Sequence, residues 1–94
     1  MLGLNVTYIM KPGMREEFLR RLEEGGLRQE VLAEEGCLGY DYYRSAEDED
    51  VLLLVERWTD LQAQQAHLQQ PHMALIRSAK DACVAETRLE SYEL

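Results

Sequence analysis

The chain has 94 residues, with eighteen acidic against ten basic side chains and a formal net charge of −8. That length makes a single domain, residues 1–94, which buries roughly 60–65% of its unfolded surface. The negative balance, with no cluster of lysine or arginine, excludes nucleic acid and anionic membrane surfaces as expected partners. No apolar run approaches the roughly eighteen residues of a membrane span, and MLGLNVTYIMKPG lacks the basic start and cleavage site of a secretion signal, so the expectation is a cytoplasmic protein. Cys37 and Cys83 form no C-x-x-C pair and read as reduced, small core residues.

In chain order, Leu2 to Met10 alternates. Leu4, Val6, Tyr8 and Met10 share one face and Gly3, Asn5, Thr7 and Ile9 the other, which is the period of a strand. Pro12 and Gly13 end it. Met14 to about Glu34 is helical in composition, but the Phe18/Leu22 and Leu27/Val31 pairs fall out of step across Gly25-Gly26, which predicts a break there. Gly36 ends the helix, and Cys37 to Arg44 is a tyrosine-rich second strand. The acidic segment from Ala46 to Asp50 is a turn, and Val51 to Trp58 the third strand. Thr59 or Asp60 caps the next helix, with Gln62 placed to complete a capping box after Thr59, and that helix runs to about Gln70. Pro71 cannot continue it but suits the first turn of a new helix from His72, so His67 and His72 flank a helix break and face a shared space. Val84 to Tyr92 alternates again as a fourth strand.

The order β-α-β-β-α(α)-β is ferredoxin-like, an α+β fold with an antiparallel sheet and helices on one face. Because the third strand is apolar on both sides, either Val51, Leu53 and Val55 or their alternates face water in an isolated chain. A bare apolar sheet of that kind predicts a homodimer formed through the open sheet face.

Four pieces on this framework, K-P-G at Lys11 to Gly13, EEGCLGYDYYR from Glu34, ERW from Glu56 and A-H-L-x-x-P-H from Ala66 to His72, together resemble the antibiotic biosynthesis monooxygenase (ABM) family of dimeric α+β barrels. The likeness spans nearly the whole chain. Glu35 departs from a proline common before the glycine, and Gly25-Gly26 looks like an insertion in the first helix. The resemblance implies a range of activities: cofactor-free monooxygenases of quinols and polycyclic phenols, haem-degrading enzymes, an isomerase of a small signalling molecule, and members without assigned activity. Fold alone does not choose among them. The haem-degrading branch would need its functional asparagine, tryptophan and axial histidine where this chain has Val6, His67 and Arg77, and none of these is the residue required.

A cofactor-independent monooxygenase needs no metal, because a deprotonated phenol or quinol can itself give an electron to dioxygen. The protein then supplies a dry pocket, a base and an anion stabiliser. His67 is the expected catalytic base, since imidazole titrates near neutral pH; its plain alternative is a half-buried histidine bonded to a carbonyl. Trp58, His72, Arg77, Tyr8 and Val6 are the expected substrate-binding residues, each with a packing, capping or ion-pairing role as the alternative. Arg57 is a second candidate for holding a phenolate, and Asn5 meets either a ligand or water at the dimer face. The histidine spacing, with no third histidine or cysteine nearby, argues against a metal site, and no nucleophile elbow, phosphate loop or H-E-x-x-H occurs. The expected function is therefore oxidation of a quinol or other phenolic aromatic by dioxygen without a cofactor. Its rivals are a non-catalytic binding or stress-response module and an isomerase of a small phosphorylated metabolite, which would need a basic pocket built from residues such as Arg57, Arg77 and Lys80.

Overall fold

The computed structural model describes residues 1–94. Its elements run β1 (Leu2–Met10), α1 (Arg15–Glu24), α2 (Leu27–Leu32), β2 (Cys37–Arg44), β3 (Val51–Trp58), α3 (Leu61–His67), α4 (Met73–Cys83) and β4 (Val84–Glu93). All pairings are antiparallel, in the order β2-β3-β1-β4. This is the ferredoxin-like α+β arrangement expected from the sequence.

The alternation of β1 and β3 fixes the two faces of the sheet. Leu4, Val6, Tyr8 and Met10 are buried beneath the helices together with Leu52, Leu54, Glu56 and Trp58 of β3. Across the pair, Val6 lies opposite Leu54 and Tyr8 opposite Leu52, so one residue of slip would turn both apolar rows outward. Phe18 and Leu22 of α1, Leu27 and Val31 of α2, and Met73, Ile76, Ala79 and Cys83 of α4 close the core. Of the two possible parities, Val51, Leu53 and Val55 take the uncovered face, where they are half-buried beside Asn5, Thr7 and Ile9.

Several helix boundaries differ from the sequence reading. The break expected at Gly25-Gly26 is present, with Gly26 at φ 62° between two helices, and the second of these stops at Leu32 rather than running to about Glu34. Asp60, not Thr59, caps α3. Its Oδ1 accepts the Ala63 N–H at 2.8 Å, and alanine cannot reciprocate as Gln62 would in a capping box. The α3 helix ends at His67, three residues before the predicted Gln70. Residues 68–72 follow as tight turns in which the N–H groups of Gln70, Met73 and Ala74 reach the carbonyls of His67, Gln70 and Pro71, and α4 starts at Met73. Cys83 is buried as expected, whereas Cys37 is only half-buried.

Gly36 sets where β2 begins. Its φ of +85° is left-handed, and a Cβ there would lie 2.6 Å from Ala63 Cβ and 2.8 Å from Thr59 Oγ1. Its carbonyl accepts the Thr59 N–H at 2.9 Å, locking the start of β2 to the β3–α3 turn. Gly36→Ala should therefore cost more than the roughly 1–2 kcal/mol of a left-handed alanine alone. Gly13→Ala, at φ +77° with no neighbour within 4 Å of the added carbon, should show only that backbone cost. Urea unfolding of the two variants measures the difference, and equal losses would contradict the close packing at Gly36.

Candidate active site

Three segments converge on one carboxylate. Glu34 sits in the turn after α2, held by its N–H to the Val31 carbonyl and by its own carbonyl accepting the Cys37 N–H. Its Oε2 lies 2.8 Å from Nδ1 of His67, the last residue of α3, and 2.8 Å from Nε2 of His72, just before α4. The side chains are 6%, 2% and 12% exposed respectively, so these bonds operate largely out of water. An ionised carboxylate only accepts, which assigns the protons: His67 carries one on Nδ1 and His72 one on Nε2. In a neutral His67 ring that donates from Nδ1, Nε2 keeps a lone pair. Nδ1 of His72 faces Glu30, whose Oε2 is 4.0 Å away.

The other side of His67 opens on a polar interior. Its ring leans on Trp58, with centroids 4.8 Å apart, and meets Tyr40 at 5.7 Å. Trp58 donates its indole N–H to Glu56 Oε1 at 3.0 Å. Glu56 is a buried carboxylate on the inner face of the sheet, and burial raises its pKa although the Trp58 bond and the nearby His67 and Lys80 pull it down. Burial also pushes the Tyr8, Tyr40 and Tyr42 hydroxyls far above the ordinary phenol range, with Glu56 adding to each shift, so all three remain proton donors at neutral pH. The Lys80 ammonium stands 5.5 Å from the centre of the Tyr8 ring. A plain core of this size would be apolar. This one gathers a carboxylate, an imidazole and three phenols.

Two clefts border the region. One, of about 570 Å³, lies between α2 and the turn into α4 and includes Glu30, Glu34, Glu35 and His72. The other, of about 300 Å³, has Leu19, Leu22, Tyr42 and Leu52 as its apolar part and Arg28 and Arg44 among its polar residues.

The sequence profile described as antibiotic biosynthesis monooxygenase matches residues 1–78, which carry Glu34, Glu56, Trp58, His67 and His72. The chain belongs to the ABM family. It is 35% identical over 72 residues to YcnE of Bacillus subtilis, provisionally named a monooxygenase, a match covering 77% of this chain and 74% of that protein. Among solved structures it resembles a conserved protein of unknown function from Bacteroides thetaiotaomicron, suggested to be an oxidoreductase, with 30% identity, a TM-score of 0.85 and coverage of 99% and 96% of the two chains. A provisionally named antibiotic biosynthesis monooxygenase from Nitrosomonas europaea shares the fold at 21% identity, with a TM-score of 0.88 over 99% and 97% of the chains.

Within this ABM chain the sequence-predicted site residues fall into two groups. His67, Trp58 and Tyr8 lie in the interior just described, and His72 joins His67 through Glu34. Val6 is buried in the apolar row of β1, and Arg77 is exposed on the outer side of α4, one residue past the buried Ile76. Arg57 is exposed on the open face of the sheet, and Asn5, also on that face, accepts the Tyr92 hydroxyl at 3.0 Å. His67 and His72 have no third histidine or cysteine beside them, but the fold supplies Glu34 as a third donor. Sequence reasoning also passed over Glu56, although its parity with Leu52 and Leu54 places a charge on the inner row of β3.

Glu56 makes the stability of the protein depend on pH in a direction that can be worked out. Its carboxyl has a raised pKa when folded, so the folded chain holds the proton to higher pH than the unfolded chain does. The contribution is fully present below the ordinary carboxylate value and is lost as pH rises through the folded value. Glu56→Gln keeps an oxygen for the Trp58 indole and removes the titration. The stability of the variant relative to wild type should increase as pH is raised above the ordinary carboxylate range, as followed by denaturant unfolding across pH. A constant difference would show that Glu56 titrates alike in both states.

Proposed function

We propose that this protein is a cofactor-independent monooxygenase that oxidises a quinol or other phenolic aromatic with dioxygen, and that His67 is its base. The single observation carrying this reading is the Glu34–His67 hydrogen bond beside Trp58. It leaves His67 Nε2 as a lone-pair base next to a buried group of proton donors. In the proposed sequence the substrate hydroxyl gives its proton to Nε2, and Glu34 stabilises the imidazolium and holds the ring in place. The phenolate then transfers an electron to dioxygen. Oxygen adds at an unsubstituted ring carbon ortho or para to a hydroxyl and the O–O bond breaks, so that a phenol with a para hydrogen plus one dioxygen yields one quinone and one water, and a hydroquinone plus one dioxygen yields one hydroxyquinone and one water. Trp58 and Tyr8 would line the substrate, and the protonated Tyr40 and Tyr42 hydroxyls would donate to developing negative charge. His72 acts through Glu34, while the buried Val6 would contribute only packing and the exposed Arg77 would guide anions from outside.

A second reading, a binding module without chemistry, is favoured by one observation. His67 is 2% exposed and lines neither the 570 Å³ cleft nor the 300 Å³ cleft, so a substrate must displace side chains to reach Nε2. The isomerase reading has less support, since of the three cations it would draw on Arg57 and Arg77 are exposed and only Lys80 stands beside the interior, over the Tyr8 ring. Oxygen uptake with a panel of hydroquinones and para-unsubstituted phenols separates the first two. Wild type should accelerate consumption of at least one substrate. His67→Gln, which retains a donor for Glu34, should lower that rate by roughly 10²–10⁴ with little change in melting temperature. Turnover at the wild-type rate in the variant would remove His67 from the mechanism, and no acceleration by wild type with any substrate would favour the binding module.

The same proposal includes a homodimer formed through the open sheet face. Val51, Leu53 and Val55 stand side by side there with Ile9, an apolar strip that an isolated sheet would leave against water. Light scattering at micromolar concentration should report about twice the chain mass, and Leu53→Asp should give monomer or insoluble chain. A stable wild-type monomer would refute this part of the reading.

A further inference from the structure

We infer that Glu34, His67 and His72 form a binding site for a divalent first-row transition ion of the Zn²⁺ class. Nδ1 of His67, Nε2 of His72 and a carboxylate oxygen of Glu34 all lie within 4.8 Å of one another, on side chains that are themselves nearly buried. Two imidazoles and one carboxylate are a donor set that Zn²⁺ accepts with a fourth position left for water. Donor atoms around a tetrahedral Zn²⁺ stand about 3.3 Å apart, from bond lengths of ~2.0–2.1 Å. Both N···O separations here are 2.8 Å, so seating an ion widens each by about half an ångström, and the two ring nitrogens, at most 4.8 Å apart, close toward the same ~3.3 Å spacing.

The surroundings support a cation over a plain hydrogen-bonded bridge. The 570 Å³ cleft reaches Glu34 and His72 directly, which gives an ion a route in and room for a solvent ligand. Its wall carries Glu30, Glu34 and Glu35 and neither lysine nor arginine, so its field favours positive charge. Glu30 Oε2, 4.0 Å from Nδ1 of His72, is placed to take the proton side of that ring once Nε2 coordinates, the outer carboxylate that commonly orients a metal-bound histidine. Binding moves protons without changing the charge of neutral rings: each imidazole shifts its hydrogen to the nitrogen away from the ion. This inference does not depend on the oxygenase reading.

Calorimetric titration of chelator-treated protein with Zn²⁺, paired with the visible spectrum of the Co²⁺ form, tests it. One equivalent per chain, a Co²⁺ absorption of low-symmetry N/O coordination and a Zn²⁺-dependent rise in melting temperature are expected. His72→Gln and Glu34→Gln should each weaken Zn²⁺ binding by roughly 100-fold or more, beyond the ~10–100-fold that loss of an outer carboxylate costs, as expected for Glu30→Gln. Glu35→Gln and Cys37→Ser should bind as wild type does. The outer position of His72 lets its variant fold even if Glu34→Gln does not, and circular dichroism checks each. Absence of saturable binding by wild type at millimolar Zn²⁺ would overturn the assignment, as would a one-equivalent site untouched by His72→Gln, which would place the ion on surface carboxylates.

Discussion

One carboxylate oxygen, Oε2 of Glu34, holds together the part of this fold where chemistry can occur. It receives an imidazole hydrogen from the end of α3 and another from the start of α4, while its own backbone is pinned in the turn between α2 and β2. Pro71 makes this necessary. A continuous helix through residues 61–83 would carry its two histidines five positions apart, well away from a common partner on one face. The turns of residues 68–72 bring both rings onto one acceptor instead. A bridge of this kind also fixes which nitrogen of each ring holds the proton, something burial alone does not determine. Removing the carboxylate would leave two poorly solvated N–H groups without a partner, each a cost of about 1–3 kcal/mol.

Stability and chemistry are separated along β3. Its inner row reads Leu52, Leu54, Glu56, Trp58, aliphatic at one end and hydrogen-bonded at the other. At the leucine end Phe18 packs against Tyr8 and Tyr42, with ring centroids 5.5 Å and 6.4 Å away, and α1 closes over them. At the other end Trp58 and Glu56 meet His67. The tyrosines span the two zones, with Tyr40 and Tyr42 in edge contact at 5.8 Å, so the aromatic packing that stabilises the sheet also supplies the hydroxyls of the polar interior. A site built on strands and braced by helices holds its groups more firmly than one built on loops.

The strands were legible from the sequence because period-two alternation is set by the pleat itself, and Leu4, Val6 and Tyr8 could take only one face together. The break at Gly25-Gly26 and the pause at Pro71 were legible for a similar local reason, the backbone freedom of glycine and the missing N–H of proline. Glu34 was not, because it is one of eighteen acids and only the fold of the turn between α2 and β2 brings it to α3. Arg77 shows a different limit. Neighbouring helix positions differ by about 100° around the axis, so adjacency to the buried Ile76 turns Arg77 outward instead of toward the sheet. The α3 boundary was misjudged because Leu68, Gln69 and Gln70 have ordinary helical propensity, yet the chain already turns at Leu68, ahead of Pro71.

The two uses assigned to the Glu34 cluster meet at a single atom, Nδ1 of His67. As a base, His67 must keep its hydrogen on Nδ1, directed at Glu34, so that Nε2 stays free toward the interior. As a ligand, it must give Nδ1 to the ion, and the hydrogen moves to Nε2, where the ring can no longer accept a proton. One imidazole cannot hold both arrangements. An ion seated between Glu34 and His72 therefore leaves the interior without its base, although it touches neither Trp58 nor Glu56. The cleft reaches Glu34 and His72 while Trp58 packs against His67, and the position of one hydrogen on the His67 ring decides which of the two uses is open.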